Sequence, residues 1–455
     1  YKQNNHKKKI MKKLVLFEIN ECDFQYFLFG AKKYKFKAIL NLFSDKKNTS
    51  TFTKDKTEGV NLDPWVQWVS VHTGKTSSYH KVLKIGQKLD KKIPQVWEAL
   101  AKKNIKIVLW GAFNSILKSK KNINTFIPDP WSFTQKAHPI RLKGLLDLPR
   151  YYALNYPNIN FFKFSINLIN FLKKILFSRV FFYFFVNVFN YLRIMIKFKL
   201  ISFNYYFFLD LVSLKFVSID IKKKNTEFAI IALNSFAHFQ HNYWDEKKYE
   251  YIYFWYLNEM VLEIEKISKN FNSVLIYNGF SQKKIKPLLF IRPKYPTKFF
   301  DILNIKFLDI RPNMTSGGLV FFANNNDKKR CINTLLKITL FGKRVFCIKD
   351  YKEQNRIYYN FNLTFFKIPK NIMKMNKNNY KKYFKTLTDH KTYQTINNND
   401  IIDKILCNII FNKSTSAHHN QGTLYHKNFS PLLKNKKKIF ENHLLSDYIK
   451  EYFNI

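Results

Sequence analysis

Polar residues that could contact a ligand follow several short apolar segments of the chain. Glu18, Asn20 and Glu21 come at the end of the first segment, and His238 and His241 come soon after another. The remaining members of this set are Asn234, Asn278, Ser281 and Gln282. If the apolar segments are parallel strands, their carboxyl ends share one sheet edge, which is where ligands bind in such sheets. The residues that follow these segments are therefore the candidates for ligand contact.

The elements that must position these residues are short continuous apolar runs. They occur at 13–19, 105–111, 227–234, 273–279, 318–324 and 344–349. Runs of this kind are typical of strands buried on both faces of a largely parallel sheet. Helical segments such as 94–104 and 247–270 lie between them. We therefore predict an α/β fold with a largely parallel central sheet flanked by helices.

The charge of the chain is strongly basic. Its 455 residues include 78 Lys and Arg against 31 Asp and Glu, which gives a net charge of +47. The surplus is mostly lysine and accompanies many Asn, Ile, Phe and Tyr residues, the bias of an AT-rich genome. No nucleic-acid-binding motif accompanies it, so we expect no specific nucleic-acid partner, whereas a basic surface does attract anionic substrates. A hydrophobic fraction of 46% excludes a disordered chain.

The four cysteines indicate a reducing compartment. Cys22, Cys331, Cys347 and Cys407 lie far apart and form no CxxC motif. This spacing excludes a disulfide scaffold, a zinc ribbon and a redox pair. Free thiols are typical of reducing compartments, so we predict the cytoplasm, with membrane association at the inner face as a variant.

An aromatic-rich segment interrupts the alternation of strands and helices. Residues 175–198 are long enough to span a bilayer, but Arg179, Arg193 and Lys197 oppose this, since a cation near the centre of a spanning helix costs about 2.5 kcal/mol or more. Two alternatives are favoured: a helical cap packed on the main domain, or helices lying on anionic lipid. The second would give peripheral membrane contact through 159–221.

The domain prediction follows from this interruption. Residues 1–10, which precede Met11, are interpreted as an upstream extension. Residues 11–155 and 222–455 are predicted to form the α/β domain, and 156–221 the helical cap insertion.

The order of motifs resembles the alkaline phosphatase superfamily, nearest to its type I phosphodiesterase/nucleotide pyrophosphatase branch. LDPWVQWVSVHTGKTSSYH at 62–80 is similar to the family's nucleophile helix, which ends in Thr-Gly. NSFAH at 234–238 resembles the motif DxxxH, and NGFSQ at 278–282 stands where DHG is expected. HHNQG at 418–422 resembles the late histidine motif, so the likeness runs from about residue 13 to about residue 426.

The resemblance implies an altered catalytic helix. Pro64 falls at the nucleophile position, and proline cannot be a nucleophile, although it is favoured at the first position of a helix. Ser70, Thr73 and Gln67 on the same helix are the other catalytic candidates. The two hydroxyls also have a plain structural interpretation, as packing groups bonded to the backbone.

The resemblance also implies a reduced metal site. Asn234 and Asn278 stand in place of two family aspartates, which removes two charges, so a single divalent metal, zinc, is implied instead of the usual pair. The implied ligands are Glu18, His238 and one of His418 or His419, with His241 as a further candidate, and three or four nitrogen and oxygen ligands suffice for zinc. The implied substrate-binding residues are Asn234, Asn278, Ser281 and His72. Glu18 could equally be a capping or salt-bridging acid.

The predicted function is hydrolysis or transfer of a phosphoric or sulfuric ester, the metal polarising the ester or activating water. The substrate would be an anionic small molecule, lipid or glycan ester. The alternative is a catalytically inactive protein of the same fold that binds an anionic, glycan or lipid ligand.

Overall fold

The computed structural model describes most of the chain. The described residues are 11–55, 62–83, 85–155, 159–198, 202–312, 317–340, 343–344, 346–351, 354–361, 384–386, 408–435 and 438–455. The chain divides into two compact units, unit 1 (Tyr1–Lys284 and Ala417–Ile455) and unit 2 (Ile285–Ser416).

The secondary structure alternates through most of unit 1 and is richer in strands in unit 2. The strands are β1 (Leu14–Ile19), β2 (Lys47–Phe52), β3 (Ile107–Trp110), β4 (Ile123–Ile127), β5 (Phe228–Leu233), β6 (Ser273–Tyr277), β7 (Ser281–Pro293), β8 (Asp309–Pro312), β9 (Gly317–Phe321), β10 (Ile338–Leu340), β11 (Lys343–Arg344), β12 (Phe346–Tyr351), β13 (Arg356–Phe361), β14 (Phe384–Thr386), β15 (Ile409–His419), β16 (Gln421–Lys427) and β17 (Ile439–Glu441). The α-helices are α1 (Phe24–Tyr34), α2 (Lys37–Ser44), α3 (Pro64–Thr73), α4 (Ser77–His80), α5 (Val96–Lys102), α6 (Lys143–Asn155), α7 (Phe161–Leu176), α8 (Val180–Phe198), α9 (Ser202–Lys224), α10 (Ser235–Tyr243), α11 (Lys247–Ser268), α12 (Pro296–Ile302), α13 (Asn325–Lys337), α14 (Ser430–Asn435) and α15 (Leu445–Tyr452).

Unit 1 contains an eight-stranded sheet in the order β17-β2-β16-β6-β1-β5-β3-β4. Strand β1 lies at its centre and pairs in parallel with both β5 and β6. The pairs β3–β4, β3–β5 and β17–β2 are also parallel, whereas β16 runs antiparallel to β6 and β2. The predicted α/β class with a largely parallel central sheet is confirmed.

Both faces of this sheet are buried, because side chains of a strand alternate between its faces. Val15 and Phe17 of β1 lie in one hydrophobic cluster with residues of α1, α9, α10 and α11. Leu14 and Leu16 lie in a second cluster with residues of α3, α5 and α15. The continuous apolar run of β1 is thus explained by two covered faces.

The predicted cap region contains helices of two kinds. Helix α9 buries Phe207, Leu211 and Leu214 in the main cluster of unit 1. Helix α7 buries only Phe171 and Ile175 among its described side chains. Within the described part of the chain, no helix is long and apolar enough to cross a membrane. Whether residues 156–221 form a separate insertion stays a prediction.

Unit 2 has an antiparallel sheet in the order β12-β13-β9-β8 and a three-stranded sheet in the order β11-β10-β14. The prediction that the runs 318–324 and 344–349 belong to a parallel sheet is wrong. Residues of these runs lie instead in β9 (Gly317–Phe321) and β12 (Phe346–Tyr351) of the antiparallel sheet. Alternating burial along β13 shows that only one face is covered, which suits antiparallel pairing.

The packing of α1 against α11 generates a test. Gly30 of α1 lies so close to Phe254 of α11 that an added Cβ would overlap its ring. We expect Gly30→Ala to lower the free energy of unfolding, because overpacking costs about 1–3 kcal/mol and outweighs a gain in helix propensity of about 1 kcal/mol. Denaturant unfolding of the parent, of Gly30→Ala, of Phe254→Leu and of the double variant Gly30→Ala/Phe254→Leu checks this. An equal cost of Gly30→Ala in both backgrounds would contradict the packing.

Candidate functional site

The candidate site lies at the carboxyl edge of β1, β5 and β6. After β1, Glu21 adopts a left-handed conformation with φ of 56°, and its backbone N–H donates to the carbonyl of Asn278, just after β6. The N–H of Asn20 donates to the carbonyl of Leu233, at the end of β5. Because β16 is antiparallel to β6, the chain entering β16 reaches the same edge. Four segments of unit 1 therefore meet here.

One acid and two histidines converge at this edge. Oε2 of Glu21 lies 2.9 Å from Nε2 of His241 and 2.9 Å from Nε2 of His418. The candidate ligand atoms of the three residues all lie within 4.8 Å of one another. The side chain of Glu21 is 3% exposed, whereas those of His241 and His418 are 31% and 21% exposed. The cluster is therefore reached from solvent on its histidine side.

Neutral amides hold the carboxylate in place. Gln282 donates from Nε2 to Oε2 of Glu21 over 2.6 Å, and the same nitrogen lies 2.9 Å from Nε2 of His241. Asn20 donates to Oε1 of Glu21 over 3.1 Å, while its own Oδ1 accepts from the indole of Trp68. Both carboxylate oxygens of Glu21 are thus fixed.

The electrostatics of the cluster favour an ionised acid. Burial acts to raise the pKa of Glu21, but His418 and His241 outweigh burial and hold the pKa well below its usual range. Burial acts to lower the pKa of His418, yet the charges of Glu21 and Asp63 raise it overall. The carboxylate therefore supplies the negative charge of the site.

Asp63 is a second acid beside the cluster. Its Oδ1 lies 4.0 Å from Nδ1 of His418. It precedes α3, and its side chain makes no capping hydrogen bond to that helix. Burial raises its pKa to about 7.

Three of the predicted metal ligands lie outside this cluster. The ring of His238 stacks on Tyr206 with the centroids 3.6 Å apart, and its Nε2 lies 3.3 Å from Nδ2 of Asn234. Burial lowers the pKa of His238 to about 3. Nδ1 of His419 lies 3.5 Å from Oγ of Ser281, which donates to the carbonyl of Gln421.

Glu18, the third, lies within β1 and pairs with a predicted substrate-binding residue. Its Oε1 is 2.6 Å from Nε2 of His72 on α3, and both side chains are fully buried. The ring of His72 lies between Trp68 and Trp97. Among the described atoms, Oε2 of Glu18 and Nδ1 of His72 have no hydrogen-bond partner.

The catalytic candidates on α3 are bonded within the protein. Pro64 is the first residue of the helix and is buried. Thr73 donates to the carbonyl of Val69 over 2.7 Å. Gln67 donates to Asp55 and accepts from Asn442.

Among the residues that the structure describes, Ser70 has no base beside it. Nδ1 of His80 accepts from the N–H of Val82, so in the neutral ring Nε2 carries the proton. That Nε2 lies 3.0 Å from Oγ of Ser70. Since a protonated nitrogen cannot accept the hydroxyl proton, this pair does not activate Ser70 as a nucleophile.

The two predicted amides at the edge serve different partners. Asn278 donates to the carbonyl of Cys22 over 2.7 Å and accepts from the N–H of Thr423 over 2.8 Å. It therefore ties the segment after β1 to β16. Asn234 accepts from Asn20 over 2.8 Å through Oδ1, and its Nδ2 lies 3.3 Å from Nε2 of His238.

The structure thus brings together His241 and His418 with an acid that the motif comparison did not select. Glu21 belongs to the set of residues that follow the apolar segments, and this position is the signal that identifies it. Asp63 was missed, although it directly precedes Pro64. Its adjacency to the nucleophile position is the signal that could have found it.

Comparisons with known proteins gave structural similarity only. No family model and no curated protein matches the chain. The chain is similar to phosphonoacetate hydrolase from Sinorhizobium meliloti 1021, at 7% identity and a TM-score of 0.45, over 96% of this chain and 95% of that one. It is also similar to murine ectonucleotide pyrophosphatase/phosphodiesterase 5, at 6% identity and a TM-score of 0.44, over 98% and 95%.

The buried position of His80 predicts how the free energy of unfolding depends on pH. Burial lowers the pKa of His80 from 6.5 to about 4, so the folded state binds fewer protons than the unfolded state between these values. The free energy of unfolding should therefore fall by about 3 kcal/mol through this group as the pH drops from about 6.5 to about 4. His80→Asn keeps an acceptor for the N–H of Val82 but removes the titrating group. We therefore expect the free energy of unfolding of this variant to fall less over the same pH range. Denaturant unfolding across this pH range checks it, and equal declines in both proteins would contradict the assignment.

Proposed function

We propose that the chain is a phosphoric ester hydrolase that uses one divalent metal ion, zinc, held by Glu21, His241 and His418. The observation that carries this proposal is the convergence of their ligand atoms at the carboxyl edge of the sheet. A carboxylate with two imidazoles is a known catalytic zinc set that leaves a position open for water or substrate.

The residues present fit such an ion. Nε2 of His418 is buried, and among the described atoms it has no partner in hydrogen-bond geometry, although Oε2 of Glu21 is only 2.9 Å away. A cation between the two would satisfy both groups. Gln282 and Asn20 would orient the carboxylate as outer partners. A bound zinc would polarise a phosphoryl oxygen or lower the pKa of a bound water.

The chemistry of the chain's own residues points to direct hydrolysis. Pro64 offers no nucleophile and Ser70 has no base among the described residues, so the attacking group would be water. Asp63 lies beside Nδ1 of His418, on the ring edge opposite the Nε2 that faces Glu21, so it would orient this ring, and the proton of the attacking water would pass to solvent. The water oxygen forms the new bond to phosphorus, the ester P–O bond breaks, and the leaving oxygen is protonated from solvent.

The proposed substrates are anionic esters of phosphate, with sulfate esters as the competing class and lipid or glycan esters as specific forms. The proposed compartment is the cytoplasm. It is supported by the free thiols of Cys22 and Cys331, which are buried and whose pKa values are raised by burial.

A second candidate is a catalytically inactive protein that binds an anionic, glycan or lipid ligand at the same edge. The observation that favours it is the loss of a nucleophile at Pro64 together with the internal bonding of Thr73 and Gln67. The two candidates differ in turnover and not in the location of the site.

The metal proposal predicts graded losses of zinc affinity. Glu21→Gln, His241→Ala and His418→Ala should each weaken binding by more than about a hundredfold, since even outer partners contribute about 10–100-fold. Gln282→Ala should fall within that outer range. Isothermal titration with zinc measures this, and His419→Gln is the matched control. Equal affinity in the parent and in Glu21→Gln would contradict the ligand set.

The hydrolysis proposal predicts that Asp63→Asn weakens zinc binding more than it slows turnover of the zinc-loaded protein. Zinc affinity should fall about 10–100-fold, the usual contribution of an outer partner of a ligand, while turnover at saturating zinc should stay within a few-fold of the parent. Turnover of aryl phosphate monoesters, phosphodiesters and sulfate esters is the measurement. A zinc-loaded parent with no turnover of any ester would favour the inactive candidate.

A further inference from the structure

Helices α7 and α8 expose large apolar side chains in a regular pattern. On α8 the exposed residues Phe182, Phe185, Phe189, Arg193 and Ile196 follow one another at intervals of three or four. This spacing places them along one face of the helix. Phe182 and Phe189 are 70% and 78% exposed, so the face is not covered by the rest of unit 1.

Helix α7 has a face of the same kind. Its exposed residues Phe162, Ile166, Ile169, Lys173 and Leu176 also recur at intervals of three or four. Isolated exposed apolar residues are common on soluble proteins, but a continuous apolar face marks an interaction site. We call these two faces together the α7–α8 face.

The charge around this face is of one sign. Residues 159–198 contain no Asp or Glu. Their basic residues are all exposed and comprise Lys163, Lys173, Lys174, Arg179, Arg193 and Lys197. A partner must therefore combine an apolar interior with a negatively charged boundary.

We propose that the α7–α8 face docks on the surface of an anionic lipid bilayer. Helices that lie in a membrane interface combine exposed Phe and Leu with Lys and Arg, and anionic headgroups attract the basic residues. The basic residues would contact the headgroups while the phenylalanines enter the acyl boundary. This proposal narrows the membrane contact expected for 159–221 to α7 and α8, because α9 buries its apolar residues against the sheet.

A second copy of the chain fits the face less well. A two-fold contact would set each basic cluster against its own equivalent, with no acid in 159–198 to compensate. A typical protein partner also fits less well, since lysine is depleted from protein–protein interfaces. The inference does not depend on the proposed hydrolase activity.

Vesicle co-sedimentation of the full chain tests the proposal. We expect the parent to bind phosphatidylcholine vesicles that contain phosphatidylserine, more weakly at high salt, and much less when phosphatidylserine is absent. Phe182→Ser/Phe185→Ser/Phe189→Ser should lower the vesicle-bound to free ratio by more than about tenfold. The matched control, Phe29→Ser/Tyr79→Ser/Tyr251→Ser, replaces three exposed aromatic residues elsewhere in unit 1 and should bind as the parent does.

Two further variants control for misfolding of the phenylalanine variant and for loss of the zinc site. Lys173→Glu/Lys174→Glu changes only exposed side chains and should weaken binding to the phosphatidylserine vesicles, which guards against misfolding of the phenylalanine variant. Glu21→Gln should bind vesicles as the parent does, so that failure of the zinc site is distinguished from failure of membrane docking.

Three outcomes would overturn the proposal. They are no binding to either vesicle, equal binding with and without phosphatidylserine, or unchanged binding of the phenylalanine variant. Sedimentation velocity identifies one alternative occupant: a parent dimer that this variant dissociates, without vesicle binding, would assign the face to a second copy.

Discussion

The buried carboxylate of Glu21 is the group on which the organisation of the site depends. A buried charge is costly unless it is paired and hydrogen-bonded. Here His241 and His418 supply the charge partners, and Gln282 and Asn20 supply the hydrogen bonds. These partners come from four separate segments of unit 1, so satisfying one carboxylate requires the whole edge of the sheet to be assembled.

The fold meets this requirement through its strand order. Placing β1 between β5 and β6 brings the segments after all three strands to one edge. The left-handed turn at Glu21 and the hydrogen bond from the Asn278 side chain to the carbonyl of Cys22 fix the segment that follows β1. The same side chain accepts from the N–H of Thr423 in β16. His418 lies at the end of β15, just before β16, and it reaches the same edge because β16 runs antiparallel to β6. In this account, Asn278 keeps the edge assembled, while the negative charge comes from Glu21.

Much of the fold could be predicted from the sequence, because continuous apolar runs identify strands covered on both faces. The pattern could not separate parallel from antiparallel strands in unit 2, since short apolar runs such as those of β9 and β12 occur in both.

Within the site, the motif pointed to Glu18, which follows four apolar residues. Strand alternation instead directs Glu18 to the face covered by α3, where it meets His72. Glu21 reaches the edge only because of a local turn that hydropathy does not encode. Adjacent residues at a strand end likewise differ in direction, so the sequence could not choose between His418 and His419.

The central claim is that one divalent ion is bound by Glu21, His241 and His418. A crystal structure of the zinc-soaked protein, with anomalous scattering measured on both sides of the zinc edge, tests it most directly. The account predicts a single zinc peak in unit 1, within bonding distance of Glu21, His241 and His418. A peak at Glu18 or His238 instead, or no peak at the sheet edge, would contradict it.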